Sequence, residues 1–280
     1  MVSGVIGTLA DSTTGRTMSK TIIQSTISFG VVSTFFIGTI GCDSRFVTES
    51  TVVGDFILVV VGFDDNIDSV LSMTDNVGTP YGLVAALTGN KQRIETWGGF
   101  APSSNPNNQI TIGARNAFYT CGLMAASYKG VGSSSTIQTS SGFGTSATTT
   151  LTTVNAKSWV IGGAMANGTA TLSAGANTNV RQSQTLTGCT GNNLCMGEDQ
   201  VDSGVVTSPA SVTLATTIGS SETWTSAAVE IDPVVSTPNA NIIATPGMVP
   251  VVQLIPFTFA ALVLAVLAYD FVQKRTPGGL

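Results

Sequence analysis

The sequence contains no histidine and few charged residues. None of its 280 residues is His, and charged residues make up 10%, against about 25% in ordinary globular domains. Without histidine, a Ser–His–Asp triad, a His-ligated zinc and a histidine general base are all excluded. The chain also has no G-x-S-x-G motif, no P-loop and no G-x-G-x-x-G opening a helix. These absences predict a protein that is not an enzyme.

Basic residues are scarce as well. Lys and Arg number 11 and Asp and Glu 16, a formal net charge of −5, so no continuous basic patch for nucleic acid can form and sequence-specific nucleic-acid binding is not expected. Ser and Thr are about a quarter of the chain and must supply the polar surface. A hydrophobic content of 42% and a mean hydropathy of +0.34 indicate a folded core rather than disorder.

The four cysteines are an even number with uneven spacing. Cys189 and Cys195 flank the turn-forming stretch TGNNL, across which a short loop can close, so we predict a disulfide between them. Cys42 and Cys121 would then pair by elimination. The alternative is four buried thiols that act as small hydrophobic side chains. A metal site is the weakest interpretation because neither CxxC spacing nor histidine is present.

The C-terminal region has the composition of a membrane anchor. No charged residue occurs at 233–269, and residues 248–269 are almost all apolar. As a helix these 22 residues would extend about 33 Å, against a hydrocarbon core of about 30 Å. We therefore predict one transmembrane α-helix at 248–273, in a single-pass protein. The alternative, a buried core helix, has little to pack against in a chain otherwise patterned as strands.

Individual residues define the ends of this predicted span. Pro256 suits the first helical turn, where its missing N–H is harmless. Tyr269 would lie at one interface, followed by the basic pair Lys274 and Arg275, as an aromatic belt and a positive flank would.

The two ends of the chain give conflicting cues about topology. The N-terminus has no basic residue before Arg16 and only a broken apolar run, so it does not resemble a signal peptide. A tail-inserted protein would keep its large domain on the side of synthesis, whereas Lys274 and Arg275 favour the opposite side. A virion with an internal membrane satisfies both cues, and the side of the membrane stays open.

The body of the chain, residues 20–232, is patterned as strands. About a dozen short segments rich in Val, Ile, Thr and aromatic residues are separated by Gly, Asn, Asp, Ser and Pro, and no long helical period interrupts them. We predict an all-β fold, an antiparallel jelly-roll-like sandwich. The run FILVVV at 56–61 is apolar on both faces and indicates a central strand covered on both sides. TTTLTTV at 148–154 indicates an edge strand or a solvent-facing strand. The region between Lys129 and Lys157 is uncharged and needs burial, twist or glycan to avoid edge pairing.

Two motifs in this region carry a resemblance to a known module. TDNVGTPYGLVAAL followed by RIETWGGFAP is similar to the D-x-x-G-x-x-Y and E-x-W-x-x-x-A-P hairpin of a jelly-roll-like β-sandwich module found in prokaryotic surface, secreted and phage-associated proteins. The resemblance covers about residues 50–231, and the sequence departs from the pattern at Ala126 and at Lys157–Ser158. It implies an architecture and a surface context and no catalytic residue. The residues themselves predict turn chemistry at Asp75 and aromatic anchors at Tyr81 and Trp97.

Two acidic clusters and one sequon are candidate ligand or modification sites. Asp64, Asp65 and Asp68 follow the predicted central strand, and a second cluster, Glu198, Asp199 and Asp202, follows Cys195. Either cluster could offer oxygen ligands to a structural calcium, and no other cofactor is expected. The alternative is that both clusters are ordinary solvated turn residues. Asn167 in NGT is expected in an exposed turn, where glycosylation or a plain Asn-Gly hairpin would both fit.

The predicted plan has five parts: an N-terminal arm (1–19), the β-sandwich (20–232), a Pro/Asn/Thr-rich stalk (233–247), the membrane helix (248–273) and a short basic tail (274–280). The predicted function is a structural coat protein that packs laterally with copies of itself, and with other coat proteins, into a virion shell or cell-surface layer. The alternative is a membrane-anchored adhesin or receptor-binding protein for surface glycans. Both require the lipid bilayer as a partner.

Overall fold

A computed structural model describes residues 4–10, 17–38, 43–89, 92–115, 120–168, 171–185 and 196–236. Every regular element within these ranges is a β-strand, and every strand pair is antiparallel. The all-β prediction is therefore confirmed for this part of the chain. It holds no helix with the length and hydropathy that a membrane crossing requires, and the predicted span at 248–273 lies outside it.

The described strands form four sheets. The terminal sheet contains β1 (Gly4–Ala10), β2 (Thr17–Gln24) and β18 (Val235–Ser236). The outer sheet contains β5 (Arg45–Thr51), β7 (Val70–Asp75) and β10 (Asn105–Ala114). The middle sheet contains β3 (Ser28–Val32), β4 (Phe36–Gly38), β6 (Phe56–Phe63), β8 (Gly82–Thr88), β9 (Arg93–Phe100) and β11 (Cys121–Lys129). The ribbon sheet contains β12 (Val131–Thr152), β13 (Ser158–Asn167), β14 (Leu172–Ala174), β15 (Asn179–Thr185), β16 (Met196–Val206) and β17 (Ser211–Pro233).

The middle sheet lies between the other two large sheets. One hydrophobic cluster packs one face of the middle sheet against β13 and β17 of the ribbon sheet. A second cluster packs the other face against β5, β7 and β10 of the outer sheet. The fold is therefore a stack of three sheets with two cores. The sequence predicted a simple sandwich because alternating patterns report burial of a face and do not report how many sheets are stacked.

β6 explains why three layers are needed. All eight residues of FILVVVGF are buried. Leu58 and Val60 point into the core shared with the ribbon sheet, whereas Val59 and Val61 point into the core shared with the outer sheet. Since successive strand residues face opposite sides, a continuous apolar run can only be satisfied by a cover on each side. The prediction of a central strand covered on both faces is confirmed.

The longest strands form a bent ribbon. β12 and β17 pair from Val131 opposite Pro233 to Thr152 opposite Ser211, with a register shift between Gly144 and Ser146. Beyond that shift the ribbon returns over the outward face of its own sheet. The contacts are made by apolar residues of the returning half and of β13, β14, β16 and β17: Ala147, Leu151, Leu172, Leu214 and Ile218 against Val160, Ala164, Ala166, Val201, Trp224 and Ala228.

A buried ion pair stabilises the ribbon sheet beside the first core. The Arg181 guanidinium donates to Asp202, which is fully buried, and Arg181 Nη2 lies 3.1 Å from Asp202 Oδ1. The same guanidinium lies 4.2 Å from the centre of the Phe29 ring. Trp159 and Tyr128 make an edge-to-face contact next to it. Trp159 is a core residue, and its ring is not available for stacking on a sugar.

Strands occur beyond both ends of the predicted sandwich, residues 20–232. Residues 4–10 and 17–24 pair as a hairpin, so much of the predicted N-terminal arm is sheet. Val235 pairs with Gln24, and Val234 N donates to Gly130 O at 2.9 Å. The first residues of the predicted stalk therefore belong to the folded unit, because backbone N–H groups that reach a sheet edge pair there.

Candidate assembly surface

The exposed edge of the ribbon sheet is the most unusual surface of the described residues. β12 is 22 residues long, about four times the usual strand length, and contains no charged residue and no proline. In the described part of the chain it pairs with β17 on one side and with no strand on the other. An edge of this kind presents unpaired N–H and C=O groups that can accept another strand. The prediction of an edge strand at 148–154 is confirmed as far as Thr152, and the strand begins much earlier than predicted, at Val131.

We define residues 132–146 of β12 as the edge segment. None of them is buried, so both faces of the strand reach solvent. Ile137 is 44% exposed and Phe143 is 72% exposed. Because the pairing with β17 runs without a shift from Ile137 to Gly144, residues six apart lie on the same face. The edge segment therefore has one face with two exposed apolar side chains and neutral residues between them.

Hydrogen bonds to Glu230 hold the base of this strand. The buried Glu230 carboxylate accepts from Ser135 Oγ and Thr136 Oγ1, each at 3.1 Å, and from the backbone N–H groups of Val154 and Asn155, each at 3.0 Å. Burial alone would raise the pKa of Glu230, but the backbone and hydroxyl hydrogen bonds outweigh it and lower the pKa below its usual value. The carboxylate is thus ionised at neutral pH and joins β17 to both ends of β12.

β12 packs closely against Trp224. A Cβ atom placed on Gly142 would lie 2.6 Å from the Trp224 ring, so only glycine lets the buried indole pack under this part of β12. Trp224 is itself buried. The backbone of the edge segment is therefore held in one position by its neighbours even though its outer side is open.

The motif residues of the resemblance are structural hydrogen-bonding groups. Asp75 Oδ1 accepts from the N–H groups of Val77 and Thr79 at 3.1 and 2.9 Å, which closes the turn after β7. Asp75 Oδ2 accepts from Tyr81 Oη at 3.0 Å and Asn108 Nδ2 at 2.9 Å. Burial raises the pKa of Asp75, but the hydrogen bonds from Asn108, Thr79 and Tyr81 outweigh it and lower the pKa overall. The spacing Asp75 to Tyr81 thus serves turn closure and sheet attachment.

The second half of the motif works in the same way. Glu95 Oε2 accepts from Trp97 Nε1 at 2.9 Å and from Val70 N at 3.3 Å, and Glu95 Oε1 lies 2.7 Å from Arg93 Nε. Trp97 is partly buried against the second core. The pattern E-x-W therefore connects β9 to β7.

Glu49 is the buried acid that the sequence did not single out. It lies on β5 opposite Asn108, is 4% exposed, and both carboxylate oxygens are buried without a hydrogen-bond partner among the described residues. Burial, reinforced by the negative charges of Asp55 and Asp75, raises the pKa of Glu49 to about 8. At neutral pH the group is mainly protonated. The sequence pattern did not identify Glu49, because in RFVTEST a polar residue takes an inward position of a short strand.

The predicted calcium residues are turn residues here. Asp65 Oδ1 accepts from the N–H groups of Ile67 and Asp68 at 3.0 and 2.7 Å, and Asp68 Oδ1 accepts from Ser69 N at 2.8 Å. Among the residues that the structure describes, no three acidic, cysteine or histidine side chains are placed to hold a metal ion. Asp64, Asp65 and Asp68 are therefore not arranged as a calcium site. Asp202 of the second cluster pairs with Arg181 instead.

Asn167 does not lie where the sequence predicted. Its side chain is 8% exposed at the end of β13, and Gly168 follows with a φ of 95°. The expectation of an exposed Asn is wrong, because the strand continues to Asn167 before the chain turns. Glycosylation at Asn167 stays a prediction.

The remaining predicted residues fall partly or wholly outside the described ranges. Cys121 is disulfide-bonded and lies opposite Gly38 of β4, four positions before Cys42. Cys42, Cys189 and Cys195 are outside the described residues, so the pairings Cys42–Cys121 and Cys189–Cys195 stay predictions. The four membrane-anchor residues, Pro256, Tyr269, Lys274 and Arg275, also lie outside.

Comparison of the chain with protein-family models, with curated proteins and with solved structures finds no match. The surface-module resemblance therefore stays a prediction that rests on the two motifs.

Proposed function

We propose that this chain is a non-enzymatic structural protein, a membrane-anchored β-sandwich that assembles laterally with copies of itself into a virion shell or a cell-surface layer. The observation that carries the proposal is the neutral edge segment of β12, exposed on both faces and held rigidly by β17. Rigid, charge-free surfaces suit repeated protein contacts, since charged residues are depleted from the centres of interfaces. The jelly-roll-like topology and the surface-module resemblance belong to this proposal.

The predicted C-terminal helix at 248–273 would supply the attachment. A layer built from single-pass anchors keeps every copy in one orientation on the bilayer, which raises the local concentration of edges and favours lateral contacts. Basic residues Lys274 and Arg275 would face the packaged genome in a virion or the cytoplasm in a cell envelope.

The alternative, a glycan-binding adhesin, has weaker support. Aromatic side chains that stack on sugars must be exposed together, and Trp159 and Trp224 are buried in the described fold. Binding to a glycan array by the full chain as a monomer would favour the adhesin.

Electron microscopy of the full chain tests the proposal. Reconstituted into lipid vesicles at high surface density, the protein is expected to form regular arrays or closed shells with a constant centre-to-centre spacing. Randomly distributed, isolated particles at the same density would contradict a coat function.

A further inference from the structure

We infer that the edge segment of β12 pairs antiparallel with the same segment of a second copy, around a two-fold axis at Ser140. This contact rests on the proposed function and is the specific interface through which lateral assembly would occur. It joins the ribbon sheets of two copies into one continuous sheet, a mode of association in which main-chain hydrogen bonds supply affinity and side chains set the register.

Charge favours a copy over a partner of another kind. Residues 130–156 contain no charged side chain, so two identical edges meet without repulsion, whereas a charged edge would repel its own copy. Natural edge strands commonly carry Lys or Pro to prevent this pairing. β12 has neither.

The positions of the apolar residues determine the register. With Ser140 opposite Ser140 of the second copy, Ile137 lies three residues before the axis and Phe143 three residues after it. Ile137 of each copy then lies opposite Phe143 of the other, and both pairs lie on one face of the joined sheet. This arrangement is isologous, as closed two-fold dimers require. It covers two apolar side chains per copy that are otherwise exposed.

The backbone geometry of the edge suits this pairing. From Ile137 to Gly144 the strand is regular, without a bulge against β17, so its outward N–H and C=O groups alternate as an antiparallel partner needs. The register shift after Gly144 and the shift between Ser134 and Ile137 limit the regular segment to the region centred on Ser140. A partner strand of the same length fits between these two irregularities.

Cysteine cross-linking of the full chain in vesicles tests the register. Opposite Cα atoms in antiparallel strands lie about 4.5–5.5 Å apart, within disulfide range. Ser140→Cys is therefore expected to form a dimer-sized, reductant-sensitive band under copper–phenanthroline oxidation. Ser134→Cys is the matched control, with the same residue type on the same exposed strand. In the inferred dimer the two copies of position 134 lie about 40 Å apart, so this variant should give the unsubstituted chain's background.

Substitution of Ile137 and Phe143 tests how much their apolar contact contributes to the free energy of self-association. The double variant Ile137→Lys/Phe143→Lys is expected to weaken self-association at least about 100-fold, because it removes the apolar cover and places like charges in the contact. Leu71→Lys is the control, since Leu71 is exposed on the outer sheet. Circular dichroism checks that each variant keeps its fold, and because all three side chains are exposed, unfolding is not expected.

The outcomes separate this inference from the proposed function. Equal cross-linking at positions 134 and 140, or arrays that form unchanged in the double lysine variant, would overturn the β12 contact and leave lateral assembly standing. A chain that stays monomeric and never forms arrays would overturn both. Slow hydrogen exchange in a monomeric chain at the β12 amides that point away from β17 would show that a segment of the same chain covers the edge, which also contradicts the inference.

Discussion

Gly162 lies in β13 between two paired strands, where no space is left for a side chain. A Cβ atom added there would lie 2.0 Å from the carbonyl oxygen of Ala227, far inside the contact distance, and the neighbour is backbone that cannot rotate away. The glycine thus permits the close approach of β13 to β17 in the middle of the ribbon sheet.

We expect Gly162→Ala to lower the free energy of unfolding by about 2–4 kcal/mol, because the added methyl group forces the two strands apart. Chemical denaturation measures this free energy of unfolding. Gly82→Ala is the control: no atom lies within 4 Å of a methyl group placed at that position, and a change below about 0.5 kcal/mol is expected. Equal losses in both variants would contradict the close approach as the cause.

Glu49 makes stability depend on pH in the unusual direction for an acid. Its pKa is about 8 in the folded chain and near the ordinary value of 4.5 when unfolded. Between these values the folded state holds a proton that the unfolded state has released. Stability should therefore fall as pH rises from about 4.5 to 8, by up to about 1.4 kcal/mol per pH unit from this group.

Glu49→Gln is expected to flatten that slope, since the amide does not titrate. Compared with the unsubstituted chain, the variant should gain most stability near pH 8 and gain little or lose some near pH 4.5. Thermal denaturation across this pH range measures the difference. Parallel pH profiles for the two proteins would mean that Glu49 is not a protonated buried acid.

At the scale of elements, the Glu230 carboxylate of β17 joins the base of the ribbon to the turn before β13. Glu230 accepts hydrogen bonds from β12 hydroxyls and from the turn before β13. Because hydrogen bonding lowers the pKa of Glu230, its contribution is fully present above the unfolded value near 4.5 and is lost as pH falls through the lower folded value.

We expect Glu230→Ala to cost about 2–4 kcal/mol of stability at pH 7, because four donors lose their hydrogen bonds to one charged acceptor. Glu230→Gln, which keeps one acceptor oxygen, should cost less. Hydrogen exchange should also speed up at Val154 and Asn155 in the alanine variant. Unchanged protection of those two amides would show that the turn does not depend on Glu230.

At the scale of the whole molecule, the predicted membrane attachment depends on one apolar segment. Leu264 lies near the middle of the predicted span at 248–273, where an arginine costs about 2.5–3.5 kcal/mol of insertion. Leu264→Arg is therefore expected to shift most of the chain from the floating to the soluble fraction in a vesicle flotation assay.

Leu71→Arg, on the exposed face of the outer sheet, is the control and should float like the unsubstituted chain. If the full unsubstituted chain remains monodisperse without detergent and does not float, the membrane assignment is wrong. The coat proposal would then need another means of attachment.

The predictable part of the fold is the part with a strong local pattern. FILVVV indicated a strand covered on both faces, and β6 is buried at every position. Asp75 indicated a turn, and its side chain accepts the hydrogen bonds that close it. Such residues act on near neighbours, so their spacing reports their structure.

The open edge formed by β12 was only partly predictable. TTTLTTV indicated an edge strand, but the preceding GSSSTIQTSSGFGTSA has the composition of a loop, with Ser and Gly in place of alternating apolar residues. It becomes a strand because β17 pairs with it along its whole length. β5, with Glu49 on its inward face, was missed for a similar reason, since its polar inward residues break the alternation.

By itself, the sequence determined the all-β class, the central strand and the lack of histidine chemistry, because composition and side-chain alternation are local properties. The tertiary structure alone decided that three sheets stack, that Glu49 is held neutral, that Asn167 is buried and that β12 is an open edge. Each of these depends on which distant segment covers a residue, and burial, pKa and edge exposure are properties of that cover rather than of the residue.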